Sequence, residues 1–483
     1  MIFALEFLLL ISFFYKSEAS IISNSYFPAY HLAPPKGWMN DPNGFCIYKS
    51  EYHLFYQYNP NSSYEPGIAH WGHAKSRDLF TWENLPIAMY PDKSYDKTGV
   101  FSGSALVEDN IMFLFYTGNV NLPGSTPDHE QQQALAISKD GINVTKYARN
   151  PILKGLEHQP NIRDPKVWKH GSSYYMVLGN SFVNGSNQTL GRALLYKSDN
   201  KITWEQVSVL HESNGDLGYM FECPDFFELD GKYVLLFSPQ GVKADGDDYK
   251  NLFQTGYIIG DFNYETYEFK PLTQFRELDH GHDFYATQTI LDKSNNRIVI
   301  AWNDMWETNY PEQKEGFTGQ MTIPRILLLS QNLTLIQKPV GEVAKILDGL
   351  VFTGRGIGGQ NFILKDNIGL ISISASVERD FVLHFESEDD SRALIIKYDS
   401  QNHTVSLDRG GEDGLRRTRW TPVNAMNMNI YVDKSSIELF CGDGEITFSS
   451  RYFPVGQSII RVGTQSIADI LTLNSIKPTV YLN

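Results

Sequence analysis

A chain of 483 residues, 42% of them hydrophobic, holds enough apolar material for one large domain or two to three ordinary ones. Its 56 acidic residues outnumber 41 basic ones, giving a formal charge of −15, and this argues against nucleic acid or an anionic membrane surface as partner. Three cysteines (Cys46, Cys223 and Cys441) form no disulfide framework, allow one bridge at most, and match no zinc spacing.

The N-terminus reads as a signal peptide over residues 1–19. Phe7 to Phe14 is almost wholly apolar, and Ser17-Glu18-Ala19 places small residues at both cleavage-critical positions. Glu6 interrupts the apolar run and no Lys or Arg precedes it, so a short buried helix is the competing reading. No other stretch is long and apolar enough to span a bilayer. Six acceptor sequons occur downstream, at Asn61, Asn143, Asn184, Asn187, Asn332 and Asn402. Together these predict a secreted, extracellular protein able to carry N-glycans.

Next comes His31 to Gly44, HLAPPKGWMNDPNG. Pro42 fixes its own φ and pushes Asp41 towards extended geometry, and Asn43-Gly44 is a tight-turn signal. Asp41 is therefore expected at the end of a short strand, just before the chain reverses. An ordinary turn aspartate would look the same, so Asp41 becomes a catalytic candidate only if other acids join it.

Short aromatic and β-branched runs then recur, starting at Tyr52, Ile111, Tyr174, Tyr233 and Arg297, with spacings of 59, 63, 59 and 64 residues. Each is succeeded by a strand that ends in a polar turn, as in Ala74-Lys-Ser-Arg-Asp78, Ala136-Ile-Ser-Lys-Asp140 and Tyr196-Lys-Ser-Asp199. Five units of about four strands each, with hardly a helical period, predict an all-β five-bladed β-propeller over residues 26–338. A pair of β-sandwiches would not explain the common register. Beyond Pro339 the phase is lost. Gly341 to Leu350 is compatible with one short helix, and alternating runs such as Phe381–Phe385 and Ser436–Phe440 predict a C-terminal β-sandwich over residues 350–483.

The repeat extends to polar residues. Asp41, Ser102, Asp164, Glu222 and Asp283 lie 61, 62, 58 and 61 residues apart. Equal phase in a propeller means equal position, so these groups should converge near the central channel. Proline recurs beside three of the acids, in Asp41-Pro42, Asp164-Pro165 and Glu222-Cys223-Pro224. Clustered carboxylates without metal-binding histidines suit either a calcium site or glycoside hydrolysis, which needs one acid to protonate the leaving oxygen and one carboxylate to attack or to activate water. Crowding sets the ionisation of the three acids apart. On this reading Glu222, pressed against Phe221 and Phe226, donates the proton; Asp41 beside Asn40 is the ionised nucleophile; and Arg163 holds Asp164 ionised. Trp38, Trp71, Phe101, Trp302 and Trp306 offer aromatic surface for sugar rings, although Trp71 and Trp302 read better as packing residues. His70 and His73 read as structural histidines, and Gln57 alone could be a satisfied channel amide. Asp283 is in phase but could serve only to orient neighbouring donors.

In this order and spacing, WMNDPNG, FSGS (101–104), RDP (163–165) and ECP (222–224) resemble glycoside hydrolase family 32, the invertase or β-fructofuranosidase family. Residues 70–89, DFYATQ (283–288), Gly316 to Arg325 and DKSSIELF (433–440) are similar to family segments as well. The resemblance implies a propeller followed by a sandwich, and a retaining enzyme acting on β-linked fructose without metal or cofactor. It implies Asp41 as nucleophile, Glu222 as acid/base and Asp164 as transition-state stabiliser. Asn40, Gln57, Phe101, Ser102 and Arg163 would line the fructose subsite, with Trp306 at its rim. The implied ligand is a small molecule, sucrose or a fructo-oligosaccharide. The chain departs from the family pattern at Glu65-Pro66-Gly67, where many relatives carry a Trp-Gly that walls the pocket. It also departs at Ile162, where Phe is usual, and at Phe317-Thr318, in a segment that usually carries Trp. Three alternatives remain open on the sequence: a fructosyltransferase on the same site, a carbohydrate-binding protein that has lost catalysis, and a metal-dependent propeller enzyme, which chelators would inhibit.

Overall fold

The computed structural model describes residues 26–156, 159–389, 393–411 and 414–480. The expected signal peptide lies outside them. Five antiparallel sheets succeed one another along the chain, each built from consecutive hairpins. Their first strands are Gly37–Tyr48, Gly99–Glu108, Ile162–His170, Met220–Leu229 and Tyr285–Leu291. Each of these strands contacts the first strand of the next sheet, and the fifth contacts the first, so the five close into a ring. This is the five-bladed propeller, with the first strands inside. Phe317–Thr318, in the connection between the second and third strands of the last blade, pairs in parallel with Gly37–Trp38 and so stitches that blade onto the start of the first.

The period of about sixty residues has a physical cause in the outer hairpins. In blade 1, Ser76 Oγ accepts the Leu79 N–H and Asp78 Oδ1 accepts those of Phe80 and Thr81. Ser138 with Asp140 and Ser198 with Asn200 repeat the pattern in blades 2 and 3. These side chains satisfy amides that the turn withdraws from the ladder. Apolar residues fill the gaps between blades, as in the Phe55, Trp71, Leu114 and Tyr116 cluster between blades 1 and 2 and the Val177, Phe221, Leu235 and Phe237 cluster between blades 3 and 4. Gly179 permits one such approach, since a Cβ there would stand 1.7 Å from the Phe221 carbonyl oxygen.

Two six-stranded sheets pack face to face after the propeller, around a core that includes Phe385, Leu394, Leu439 and Phe448. The stretch expected as one short helix divides into a single 3-10 turn, Gly341–Lys345, and a strand, Leu347–Ile357, that pairs with Ala468–Ile476. The β-branched and aromatic content after Ile346 wins over the helical pattern.

Sandwich and propeller are joined by buried ion pairs. Arg325 binds Asp279 at 2.9 Å and Glu438 in the sandwich. Arg451 from the sandwich meets Asp304 and Glu312. His31 bridges Asp433 at 2.7 Å and Glu438 at 2.8 Å. All of these side chains are buried, so each charge depends on its partner.

Candidate active site

A β-bulge interrupts the first strand of every blade at the same phase. In blade 1, Asn40 and Asp41 oppose only Gln57; in blade 3, Asp164 and Pro165 oppose only Leu178. Cys223 and Pro224 oppose only Phe237, Ala286 and Thr287 oppose only Ala301, and blade 2 has the single extra residue Ser102. A bulge re-aims the side chains beside it, and proline is tolerated where the ladder needs no N–H. This accounts for the repeated acid-plus-proline sequences. It also corrects one expectation: Asp41 does not end a short strand. It lies inside the twelve-residue strand Gly37–Tyr48, and the chain reverses later, at Lys49-Ser50, both with positive φ.

The bulges bring the expected residues around one pocket of about 360 Å³. Asn40, Asp41, Gln57, Phe101, Ser102, Arg163, Asp164, Glu222 and Trp306 all line it, and Pro66 stands in its wall. Asp283 does not reach the pocket. Its strand begins only at Tyr285, and its carboxylate takes hydrogen bonds from Tyr310 OH, Arg409 and the Arg451 N–H, at the seam with the sandwich. Trp71 and Trp302 are fully buried packing residues. Trp38 is buried too, and its indole N–H donates to Asn40 Oδ1 at 3.0 Å. Of the five aromatics, Phe101 and Trp306 face the ligand space. His53 and His73 form a buried pair at 2.9 Å, and the His70 ring bonds to the Ile68 carbonyl oxygen, consistent with structural roles.

Asp41 is almost fully buried. Its Oδ1 accepts the Asn40 amide at 3.1 Å, and its Oδ2 accepts Ser102 Oγ–H at 2.6 Å and the Cys223 thiol at 3.4 Å. Burial raises the pKa of Asp41 and the charge of Glu222 adds to the rise, while the bonds from Ser102, Asn40 and Cys223 pull it back. Asp164 has φ +65, held because its N–H donates to Thr117 Oγ1, and its Oδ2 accepts the Cys223 backbone N–H at 2.9 Å. Burial, then the charges of Glu222 and Asp41, push Asp164 up to about 7 against the opposing pull of Arg163. The sequence reading has Arg163 keep Asp164 ionised. In the structure its guanidinium forks onto Glu222 Oε1 instead, at 3.0 Å from Nε and 2.7 Å from Nη2.

The expected setting of Glu222 against Phe221 and Phe226 is also corrected. Strand alternation and the bulge send both rings into the core between blades, and the carboxylate faces the pocket. There its Oε2 accepts Tyr285 OH at 2.6 Å and the Gln240 amide at 3.0 Å. Tyr285 and Gln240 escape sequence reasoning, as do the polar residues Asn119, Asn121, His129, Gln131 and Asn161 that line the far half of the pocket. The signal available is an alternation of polar residues at strand ends, Asn-Val-Asn, His-Glu-Gln and Asn-Ile-Arg, where apolar partners would be the norm. The three cysteines are free and buried. Among the described residues no group of three or more His, Cys, Asp or Glu side chains is arranged to hold a metal ion.

A trio of carboxylates, two buried and the third, Glu222, partly exposed, one forked by an arginine and one hydrogen-bonded by a serine, inside a polar pocket with aromatic walls, defines a glycosidase-type site. Comparison with known proteins places it further. Residues 31–339 match the glycosyl hydrolases family 32 N-terminal domain and residues 369–469 the family 32 C-terminal domain. The chain belongs to this family and is a glycoside hydrolase. It is 37% identical over 469 residues to a sucrose-6-phosphate hydrolase of Zymomonas mobilis, covering 92% of this chain and 90% of that one. It is 34% identical to a raffinose invertase of Escherichia coli, with 90% and 91% covered. A solved Bombyx mori GH32 beta-fructofuranosidase superposes with a TM-score of 0.88 at 38% identity, covering 95% of both chains, and a mutant of it is solved in complex with sucrose.

Proposed function

We propose that this protein is a secreted, retaining β-fructofuranosidase that hydrolyses terminal β-fructofuranosides, chiefly sucrose, to glucose and fructose. The observation that carries the reading is the convergence of Asp41, Asp164 and Glu222 on one pocket from three different blades. Asp41, its charge supported by Ser102 and Asn40, attacks C2 of the fructosyl unit. Glu222 protonates the departing glycosidic oxygen, then as a base activates the water that releases fructose. Arg163, Tyr285 and Gln240 fix the rotamer of Glu222 for both steps. Asp164, pinned at Oδ2, presents Oδ1 to the fructose hydroxyls and stabilises the transition state. Asn40, Gln57, Phe101 and Ser102 surround the fructose ring, with Trp306 at the rim. Relatives named sucrose-6-phosphate hydrolase and raffinose invertase, and a beta-fructofuranosidase whose mutant is solved with sucrose, are consistent with this fructosyl half.

Secretion is supported by the apolar N-terminal run and by the sequons, of which Asn61, Asn143, Asn187, Asn332 and Asn402 are solvent-exposed. A mature N-terminus at Ser20 in the culture medium is the expected outcome; intracellular protein with an intact N-terminus contradicts it.

Product analysis on purified protein with concentrated sucrose tests the activity. Equal glucose and fructose are expected. Excess glucose with a new trisaccharide would make the protein a fructosyltransferase, and no turnover of sucrose or fructan would leave a binding protein.

A further inference from the structure

The pocket has a second half. The hairpin Ile111–Asn121 and His129–Ser138 of blade 2 pairs Asn119 with Gln131 and Asn121 with His129 across its end. Asn161 stands beside it at the start of blade 3. These five line the same cavity as the three acids, on the blade 2 and blade 3 side. They are wired together. Asn119 Nδ2 donates to Asn121 Oδ1 at 2.9 Å, and Gln131 Nε2 to Asn119 Oδ1 at 3.3 Å. Arg163 Nη1 donates to Gln131 Oε1 and Asn161 Oδ1, while the rest of that guanidinium holds Glu222. His129 Nδ1 donates to Asp128 at 2.6 Å, and its Nε2 lies 3.2 Å from Asn161 Oδ1. The network therefore ends at Glu222, the proton donor to the leaving oxygen.

We infer that these five residues form the leaving-group subsite and that it selects an uncharged hexosyl unit over a phosphorylated one. The inference rests on the fructosidase reading and deepens it. The chemistry matches in kind. The amides offer both donors and acceptors to vicinal hydroxyls, which do the same in return, and the imidazole adds its Nε2 edge. A phosphate would meet the opposite. Among the described residues lining the pocket, Arg163 is the one permanent cation, and its N–H groups already hold Glu222, Gln131 and Asn161. Three carboxylates line the cavity, and Asp128 lies behind His129. A dianion brought here would be repelled and would find amide oxygens where phosphate sites present Lys or Arg forks. On this inference, any difference in substrate from the relatives named for sucrose 6-phosphate lies in the leaving-group half.

The test compares kcat/KM of the whole enzyme for sucrose, for sucrose phosphorylated at glucose C6, and for methyl β-fructofuranoside, whose leaving group is too small to fill the subsite. Sucrose is expected to exceed its 6-phosphate by at least about tenfold, given like-charge repulsion at these separations. His129→Ala should lower the ratio of sucrose to methyl fructoside about tenfold. Asn121→Lys, at an exposed position, should narrow the preference against the phosphate several-fold. Turnover of the 6-phosphate equal to or above that of sucrose overturns the inference, and so does a sucrose to methyl fructoside ratio unmoved by His129→Ala. Failure to cleave even methyl fructoside would instead refute the fructosidase reading, and this inference with it.

Discussion

Ser102→Ala tests how Asp41 is kept ionised. Burial and the nearby Glu222 charge both raise the cost of the Asp41 carboxylate, and the 2.6 Å bond from Ser102 is the shortest of the three that oppose them. A hydrogen bond to a charged group contributes about 1.5–3 kcal/mol. At about 1.4 kcal/mol per pH unit, its loss shifts the ionisation by about 1–2 units. Asn40 and Cys223 remain, and water can enter the space left by the hydroxyl, so the lower figure is expected. The nucleophile must be charged to attack, so the acid limb of kcat/KM against pH should move towards neutrality by about one unit. Wild type and variant should converge above that limb, apart from a small uniform loss from the fructose contact. The assay is initial-rate sucrose hydrolysis across the acid range, with folding checked by thermal melting. A uniformly depressed profile with an unmoved acid limb would refute the reasoning, leaving Ser102 only a substrate contact.

The same geometry carries further expected outcomes. Asp41→Ala and Glu222→Ala should each reduce turnover by about a thousandfold or more with the thermal transition nearly unmoved; retention of about a tenth of the wild-type rate by either would remove its assigned role. Arg325→Met leaves Asp279 buried without its cation and Glu438 with His31 alone, and chemical denaturation should show a loss of about 3–5 kcal/mol. His31 is buried, which opposes its charge, yet hydrogen bonds to Asp433 and Glu438 hold its pKa up to about 9. The stability from the charged ring is complete below the ordinary histidine range and lost as pH rises through about 9. Wild type should thus lose about 3 kcal/mol over that interval, and His31→Gln should flatten the decline; parallel curves would contradict the pairing. Prolonged dialysis against a chelator should leave sucrose hydrolysis intact, and inactivation reversed by a divalent cation would contradict a metal-free mechanism.

The propeller was legible because its repeat is carried by two local signals, a buried apolar strand and a Ser-x-Asp or Ser-x-Asn turn that caps its own amides. The phase of Asp41, Ser102, Asp164 and Glu222 was legible for the same reason. What each acid touches was not. A bulge inserts one residue and reverses which neighbour faces the channel, so Arg163 falls on Glu222 and Phe221 falls in the core. Asp283 shows the limit of phase alone: in blade 5 the first strand starts later, and the carboxylate is left at the sandwich seam. Tyr285 reaches Glu222 from the next blade and Gln240 from the far end of the paired hairpin strand, and no local pattern marks them. The leaving-group residues lie at ends of strands, where polar residues are common whatever they do.

The most direct test of the mechanism is to trap the intermediate. Glu222→Ala enzyme, given a β-fructofuranoside with a leaving group that needs no protonation, should form the fructosyl-enzyme but lack the base to release it. Acid quench, proteolysis and mass spectrometry should then place one fructosyl unit on the peptide that contains Asp41. An adduct on Asp164, or no adduct during turnover that inverts the anomeric centre, would contradict Asp41 as the nucleophile.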